Sequence, residues 1–342
     1  MKSALAKKFA LSDEEMEPLI DRTGQEIKLK TVLDDSFLMH KIPVDCIPTE
    51  FPLPCPLYAK IATRYVMFRQ KDDHISEERI KNFKQMGEGF IFVPKIFWKS
   101  LTKGMENHTL PASASAEDRI RYMRGLLLVY NEEISQLNTT PPPNLFKKLR
   151  GLADILAEEI IRNPQSALLH LRQKSHHAQY FINHAVNTAI YSTLISNSLK
   201  YPLGDIQQVT YGCLIHDIGN VFISPAILHK EGKLTPEEFD IMKTHTIEGA
   251  ELLKKIGTPP AIVLMALEHH ERNDGNGYPQ RLSGKQISSF AKICAIADVY
   301  DAITSNRPHQ GKLDSEEAMR RMRSEEGLFD PDFLGKISFS FK

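Results

Sequence analysis

Histidine and aspartate recur through an apolar stretch of helical pattern between positions 216 and 301. Counting one histidine from an earlier helical segment, the candidate ligand residues are His184, His216, Asp217, His245, His269, His270 and Asp298. No cysteine lies at a matching spacing, so the available ligand atoms are nitrogen and oxygen. Such a set suits iron, manganese or a catalytic zinc better than a structural zinc site. A metal would also satisfy several buried polar groups together, each of which costs free energy if left unpaired. The stretch therefore predicts a metal site inside a helical domain.

Two adjacent pairs, His216-Asp217 and His269-His270, bear on how many ions the site holds. A single histidine on an apolar helix is more often a core residue than a ligand, but several together are harder to explain that way. Neighbours on a helix point about 100° apart, so they do not easily chelate one ion from mid-helix. They can do so at a helix end, or by being shared between two ions. Two ions bridged by Asp217 fit the number of ligands, and such pairs catalyse phosphoester hydrolysis by activating water and clamping a phosphoryl oxygen.

Helix signals follow one another over residues 163–342, which we predict to form an all-helical domain. Residues 180–199 contain no Asp, Glu, Lys or Arg, so this helix is expected to be largely buried. Residues 235–238, Thr-Pro-Glu-Glu, form a capping box with proline at the first helical position. Residues 288–289, both serine, start the last core helix of the domain.

The first 110 residues have a different pattern. Two β-leaning runs, 65–68 and 90–93, flank a helix signal that begins at the candidate N-cap Ser76. Strand, helix and strand in a compact unit predict a small α+β accessory or regulatory domain over residues 1–110.

Residues 111–162 predict a linker followed by a helical hairpin. The small and polar composition of residues 101–118 is typical of a linker. Helical periodicity then covers 120–134 and about 145–161, and these helices could pack on the main domain or form a dimer contact. The chain is therefore predicted to be mainly α, with a small α+β domain at the N-terminal side.

Composition argues against several classes of partner. The formal net charge is zero, so the overall balance does not favour a nucleic-acid polymer or a membrane surface. No strongly apolar run reaches the roughly 18 residues that span a bilayer, and no signal-peptide pattern follows the N-terminal lysines. The expected compartment is the cytoplasm.

The segment 269–279 has the sequence HHERNDGNGYP. Together with His216-Asp217 upstream, it resembles the HD-GYP family of cyclic di-GMP phosphodiesterases, whose pattern HHExxDGxGYP is intact here. The likeness covers about residues 165–340. Residues 1–100 more loosely resemble the small accessory domain that precedes some members.

The resemblance implies an HD-type helical domain that hydrolyses cyclic di-GMP to linear pGpG, with GMP as a further product. It also implies two divalent transition-metal ions, with iron expected first and manganese next. One ion would be held by His184, His216, Asp217 and Asp298, and the other by Asp217, His245, His269 and His270. The implied catalytic residues are Asp217, Asn220 and Arg307, and the implied substrate contacts are Gly277, Tyr278, Asn220 and Arg307. Asp301, one turn beyond Asp298, is expected to support a ligand rather than to bind an ion.

Two departures from the family pattern affect the expected activity. The family usually has lysine where this chain has Asn220, and often has a tyrosine and a basic residue where this chain has His309 and Gln310. These departures leave open a weakly active or inactive metal-containing receptor of cyclic dinucleotides. Hydrolysis of a mixed cyclic GMP-AMP dinucleotide is a further alternative. The implied partners are cyclic di-GMP, GGDEF-type or other signalling proteins through the Gly-Tyr-Pro loop, and a second copy of the chain.

Overall fold

The structure is a computed structural model that describes most of the chain. The described residues are 19–20, 26–27, 32–33, 39–49, 51–61, 64–85, 89–135, 141–172, 180–228, 230, 232–305 and 313–336. The chain divides into two compact units, Met1–Leu110 and Pro111–Lys342. All of the candidate metal ligands belong to the second unit.

Within its described residues, the first unit contains two antiparallel sheets. The smaller sheet pairs β1 (Leu19–Ile20) with β2 (Glu26–Ile27). The larger sheet comprises β3 (Val32–Leu33), β4 (Met39–Pro43), β5 (Leu57–Ile61), β6 (Arg64–Arg69) and β7 (Phe90–Pro94), in the order β3-β6-β5-β7-β4. Helix α1 (Glu77–Gln85) follows β6, and helix α2 (Trp98–Asn107) follows β7. The strands predicted at 65–68 and 90–93 and the helix predicted after Ser76 are confirmed.

Helix α2 corrects the prediction of a linker over residues 101–118. Leu101 and Met105, one helical turn apart, are fully buried. The hydroxyl of Thr102 donates a hydrogen bond of 3.0 Å to the carbonyl oxygen of Trp98. The prediction was wrong for residues 101–107, because the polar composition of the segment masked an apolar pair at helical spacing, and for 116–118, which begin the next helix, whereas residues 108–115 lie in no helix or strand.

The second unit is built from helices joined by short turns. Its helices are α3 (Ala116–Ser135), α4 (Pro143–Arg162), α5 (Pro164–Arg172), α6 (Tyr180–Ser198), α7 (Leu203–Ile215), α8 (Pro225–Leu228), α9 (Pro236–Lys255), α10 (Pro260–Glu268), α11 (Ser289–Thr304), α12 (Ser315–Ser324) and α13 (Pro331–Lys336). The prediction of a mainly α chain with a small α+β N-terminal domain is confirmed. None of the helices in the described residues is both long enough and apolar enough to span a membrane.

Helices α6, α7 and α11 pack together at the centre of this unit. Val186 on α6, Val209 on α7 and Ile293 on α11 are fully buried. Polar side chains in this core find partners, as when the hydroxyls of Thr193 and Thr210 lie 2.7 Å apart. A rigid, close-packed centre of this kind is what holds side chains from several helices at fixed positions.

Two helix starts follow the caps that the sequence predicts. The backbone N–H of Glu238 donates to the hydroxyl of Thr235, and the N–H of Thr235 donates to the carboxylate of Glu238, which confirms the capping box of α9. Ser288 caps α11 by accepting a hydrogen bond of 3.2 Å from the N–H of Ala291.

We expect that a chain lacking residues 1–110 still binds its metals. The candidate ligands all lie in the second unit, which is compact without the first. The check is metal content per chain, measured by elemental analysis beside circular dichroism of the truncated protein. A helical, cooperatively folding truncation that has lost its metals would contradict the expectation.

Candidate metal centre

The candidate ligands come from five helices and their ends. His184 lies on α6, His245 on α9 and Asp298 on α11, whereas His216-Asp217 directly follows α7 and His269-His270 directly follows α10. Both adjacent pairs therefore lie at the C-terminal ends of helices. A helix end allows neighbouring side chains to point into one cavity, which mid-helix geometry does not.

One group of ligands surrounds one oxygen of Asp217. The Oδ1 atom lies 3.3 Å from Nε2 of His245 and 3.5 Å from Nε2 of His269. These two nitrogen atoms are 3.4 Å apart. With His270 added, the ligand atoms of all four residues lie within 4.8 Å of one another.

A second group lies on the other side of the same carboxylate. The Oδ2 atom of Asp217 is 3.6 Å from Nε2 of His216. His184 completes this group, with all three ligand atoms within 4.8 Å of one another. On its far side, Nε2 of His184 lies 2.8 Å from Oδ1 of Asp298. The two oxygens of Asp217 thus face different sets of histidines.

Hydrogen bonds fix which nitrogen of each ring faces the centre. The Nδ1 atoms of three histidines lie against backbone carbonyl oxygens, at 2.7 Å from Cys213 for His216, 2.7 Å from Met242 for His245, and 3.0 Å from Ala266 for His269. A carbonyl oxygen only accepts, so each Nδ1 carries a hydrogen and each neutral ring turns an Nε2 lone pair inward. The Nδ1 of His184 is held in the same way, 2.7 Å from the carboxylate of Asp301.

In their neutral forms these rings therefore turn their lone pairs toward one another and toward the carboxylate of Asp217. Nε2 of His216 is buried and has no hydrogen-bond partner among the described residues. When both rings are neutral, the facing Nε2 atoms of His245 and His269 are acceptors, as is the carboxylate between them. A divalent cation supplies the missing positive charge, and nitrogen with oxygen is a ligand set that transition metals accept. The residues fit a metal on the chemistry of the ligand set alone.

The charges of the group are consistent with metal binding. Burial raises the pKa of Asp217, but the neighbouring His216 and His245 lower it more, so it lies well below its ordinary value. Burial likewise raises the pKa of Asp298, but the hydrogen bond with His184 and the charges of His184, His216 and His270 together lower it more, so it lies well below its ordinary value. Burial and the charge of His269 hold the pKa of His270 well below its ordinary value. Burial lowers the pKa of His245, but its hydrogen bond with Asp217 and the charge of that carboxylate raise it more. Ionised carboxylates and neutral imidazoles are the forms that bind metals, so an ion bound by His245 would displace its proton.

Asp301 supports His184 rather than facing the centre. Besides the bond with His184, its carboxylate accepts 3.0 Å from the amide of Asn187 and 2.9 Å from the hydroxyl of Ser305. Such a carboxylate fixes the orientation of a metal-binding imidazole and raises its basicity. Asn187 had not been identified from the sequence, although an amide one turn from His184 on a buried helix is a usable signal.

The loop after α10 closes one side of the centre. The ring of Tyr278 lies 4.8 Å from that of His270, and its N–H donates to the carbonyl oxygen of His270 at 3.2 Å. Gly277 is buried against the backbone of Glu271 and Arg272, where a Cβ would come within 2.5 Å. The buried carboxylate of Glu271 supports this loop by accepting hydrogen bonds from the N–H groups of Gln280 and Leu282. This role had not been identified from the sequence, although Glu271 directly follows the histidine pair.

Of the remaining predicted residues, Asn220 is described by the structure. Asn220 follows Asp217 in a 3-10 turn (Ile218–Phe222), and its N–H donates to the carbonyl oxygen of Asp217 at 2.9 Å. Its side-chain oxygen is buried and lacks a hydrogen-bond partner within the described part of the chain. Arg307, His309 and Gln310 lie outside the described residues.

Comparison with known proteins identifies the class. The sequence profile described as HD domain matches residues 158–333, which is more than half of the chain. The chain therefore belongs to the HD domain family, and the resemblance predicted from its motifs is confirmed.

Individual relatives share the same region. A cyclic di-GMP phosphodiesterase of Pseudomonas aeruginosa is 37% identical over 181 residues, covering 53% of this chain and 44% of the relative. A cyclic di-GMP phosphodiesterase of Thermotoga maritima is 41% identical over 132 residues, covering 38% of this chain and 36% of the relative. The chain thus spans less than half the length of these curated relatives.

A solved structure shares the fold over most of the chain. Bd1817, an HDG"Y"P protein from Bdellovibrio bacteriovorus, superposes with a TM-score of 0.68 at 19% identity, covering 87% of this chain and 98% of that chain. At this level of identity the likeness concerns the fold.

Proposed function

We propose that this protein is a metal-dependent phosphodiesterase that hydrolyses cyclic di-GMP to linear pGpG, with GMP as a further product. The observation that carries the proposal is the convergence of imidazole lone pairs on the two oxygens of one buried carboxylate, Asp217. The relatives named above are cyclic di-GMP phosphodiesterases, which supports the same substrate.

The proposed centre holds two ions. One would be bound by His184, His216, Asp217 and Asp298, and the other by Asp217, His245, His269 and His270. The division of the Asp217 oxygens between two sets of histidines supports its role as the bridge. We propose iron first and manganese next, because the ligands are imidazole and carboxylate without thiolate.

The protein side chains around the ions have separate tasks. Bound as a pair, divalent ions supply a nucleophile from water at neutral pH and offset the charge of the phosphate. Burial raises the pKa of Tyr278, and the charges of Asp217 and Asp298 raise it further, so its phenol keeps its proton and can donate to the substrate. Gly277 lets the loop backbone approach closely, and we assign Arg307 to a phosphate or guanine contact.

The proposal is tested by purifying the protein anaerobically and assaying cyclic di-GMP and the mixed cyclic GMP-AMP dinucleotide in the same preparation. We expect pGpG to form, turnover to stop on chelation and to return with Fe²⁺ or Mn²⁺. A metal-replete protein that hydrolyses neither substrate would refute the enzymatic proposal. Binding of the dinucleotide without turnover would instead indicate a receptor, the alternative that Asn220 favours.

We predict that Asn220→Lys raises turnover of cyclic di-GMP about tenfold, or roughly 1.4 kcal/mol of transition-state stabilisation. Asn220 lies beside Asp217, and a charge-assisted contact to phosphate is about twice as strong as a neutral one. The measurement is kcat at matched metal occupancy, with Asn220→Gln as the uncharged control. A lysine variant that binds its metals normally and is no faster would show that Asn220 does not limit catalysis.

A further inference from the structure

A cavity of about 590 Å³ lies between α9 and the loop that follows α10. Its walls include Phe239 and Lys243 of α9, the loop segment Gly275–Pro279, and Arg281. Tyr278 belongs both to this wall and to the candidate metal centre, because its ring lies 4.8 Å from that of His270. The volume is within the range of roughly 300–1,000 Å³ that small-molecule sites occupy.

The cavity wall combines an exposed aromatic ring with two cations and one carboxylate, that of Asp240. The side chain of Phe239 is 46% exposed, and its ring lies 6.1 Å from that of Tyr278 at an angle of 82°. Lys243 Nζ lies 5.2 Å from the centre of the Phe239 ring and 2.5 Å from a carboxylate oxygen of Asp240. Arg281 is exposed and forms no ion pair within the described part of the chain. Flat rings beside cations are the usual surface for a base and its phosphate.

Arg281 is held in an unusual backbone conformation. Its φ angle is 58°, in the left-handed region that residues with a Cβ adopt at a cost. The residues on either side are fixed by one buried carboxylate, since Glu271 accepts 2.6 Å from the N–H of Gln280 and 3.0 Å from the N–H of Leu282. Backbone strain that neighbouring contacts hold in place is concentrated at functional sites. Here the conformation belongs to an arginine in the cavity wall.

The chemistry of the proposed substrate matches these groups. A cyclic dinucleotide has two phosphates and two bases, and only one phosphate can be at the metals during a given cleavage. The other phosphate keeps its negative charge, and its base is a flat aromatic surface. Both need a partner if the ring is to be held at the centre during the reaction.

We propose that this cavity is the subsite for the half of the cyclic dinucleotide that is not being cleaved. Arg281 and Lys243 contact its phosphate, and its base packs on the face of the Phe239 ring with the Tyr278 ring beside its edge. The inference rests on the proposed function, because it takes the substrate class from there. It adds three residues, Phe239, Lys243 and Arg281, that determine affinity without touching the scissile phosphate.

The test is the affinity of chelator-treated, full-length protein for cyclic di-GMP, measured by titration calorimetry so that no turnover occurs. Arg281→Gly removes the cation and also removes the Cβ that makes the φ of 58° costly, so the variant is expected to fold at least as well as the wild type. We expect its Kd to rise about tenfold, as for loss of a charge-assisted contact. Phe239→Leu, which keeps apolar volume but removes the ring, should raise the Kd about fivefold.

The matched control is Lys285→Gly, which removes an exposed cation from the same loop region but outside the cavity wall. It should bind as the wild type does. No detectable binding by the wild type, or an unchanged Kd in Arg281→Gly, would overturn the subsite. The proposed function is tested separately with bis(p-nitrophenyl) phosphate, which is too small to need the subsite. We expect metal-loaded wild type and Arg281→Gly to hydrolyse it equally. Metal-loaded wild type that hydrolyses neither this substrate nor a cyclic dinucleotide would reject the phosphodiesterase while leaving the binding result standing.

Discussion

Asp217→Ala is expected to lower turnover of cyclic di-GMP by on the order of a thousandfold and to disturb both metal ions. The two oxygens of this carboxylate face different sets of histidines, with Oδ1 3.3 Å from His245 and Oδ2 3.6 Å from His216. Its loss removes negative charge from both sets at once. The measurement is metal content by elemental analysis beside kcat on the same sample.

Two further variants make the result interpretable. Asp298→Ala should loosen mainly one ion, because the carboxylate of Asp298 pairs with His184, which belongs to only one of the two groups of histidines. Glu251→Ala removes an exposed carboxylate from α9, the helix of His245, and should change neither metal content nor turnover. An Asp217→Ala protein that keeps two ions per chain would exclude the bridging role.

Gly219→Ala is expected to destabilise the fold by about 3 kcal/mol or more, at the upper end of the cost of overpacking. A Cβ on Gly219 would lie 1.9 Å from the carbonyl oxygen of His245 and 2.7 Å from the backbone nitrogen of Gly249. Both contacts are backbone atoms of α9, so relief requires the turn and the helix to separate, which moves Asp217 and His245 apart. Loss of metal should accompany the loss of stability.

The matched control is Gly151→Ala on α4, where a Cβ meets nothing within 4 Å. There alanine should stabilise the protein by about 0.5–1 kcal/mol, because it is the better helix former. The measurement is the free energy of unfolding by denaturant for both variants. Equal stability of Gly219→Ala and the wild type would show that the approach of the turn to α9 is looser than these distances indicate.

Features that depend on short sequence separations could be predicted. The capping box at Thr235, the cap at Ser288 and the buried character of α6 each follow from a few neighbouring residues. The ligand types were also predictable, because histidine and aspartate are conspicuous in apolar helices. Their arrangement was left open between a helix end and shared ions, and the structure places both pairs at helix ends.

Features that depend on distant contacts could not be predicted. The bond between His184 and Asp301 joins residues 117 positions apart, so no local pattern gives its geometry. Packing of distant segments likewise brings Gly219 against Gly249. It also places the Glu271 carboxylate where it accepts hydrogen bonds from the backbone on either side of Arg281. In a sequence, a glycine or a glutamate is compatible with many structural roles, and only the three-dimensional fold shows which role it has.

The most direct test of a two-ion centre bridged by Asp217 is a titration of metal-free protein with Fe²⁺ or Mn²⁺ under anaerobic conditions. Bound metal per chain and turnover of cyclic di-GMP are measured at each step. We predict that turnover rises with the second equivalent and stops rising at two ions per chain. Full turnover at one ion per chain, or turnover in protein that binds none, would contradict the account.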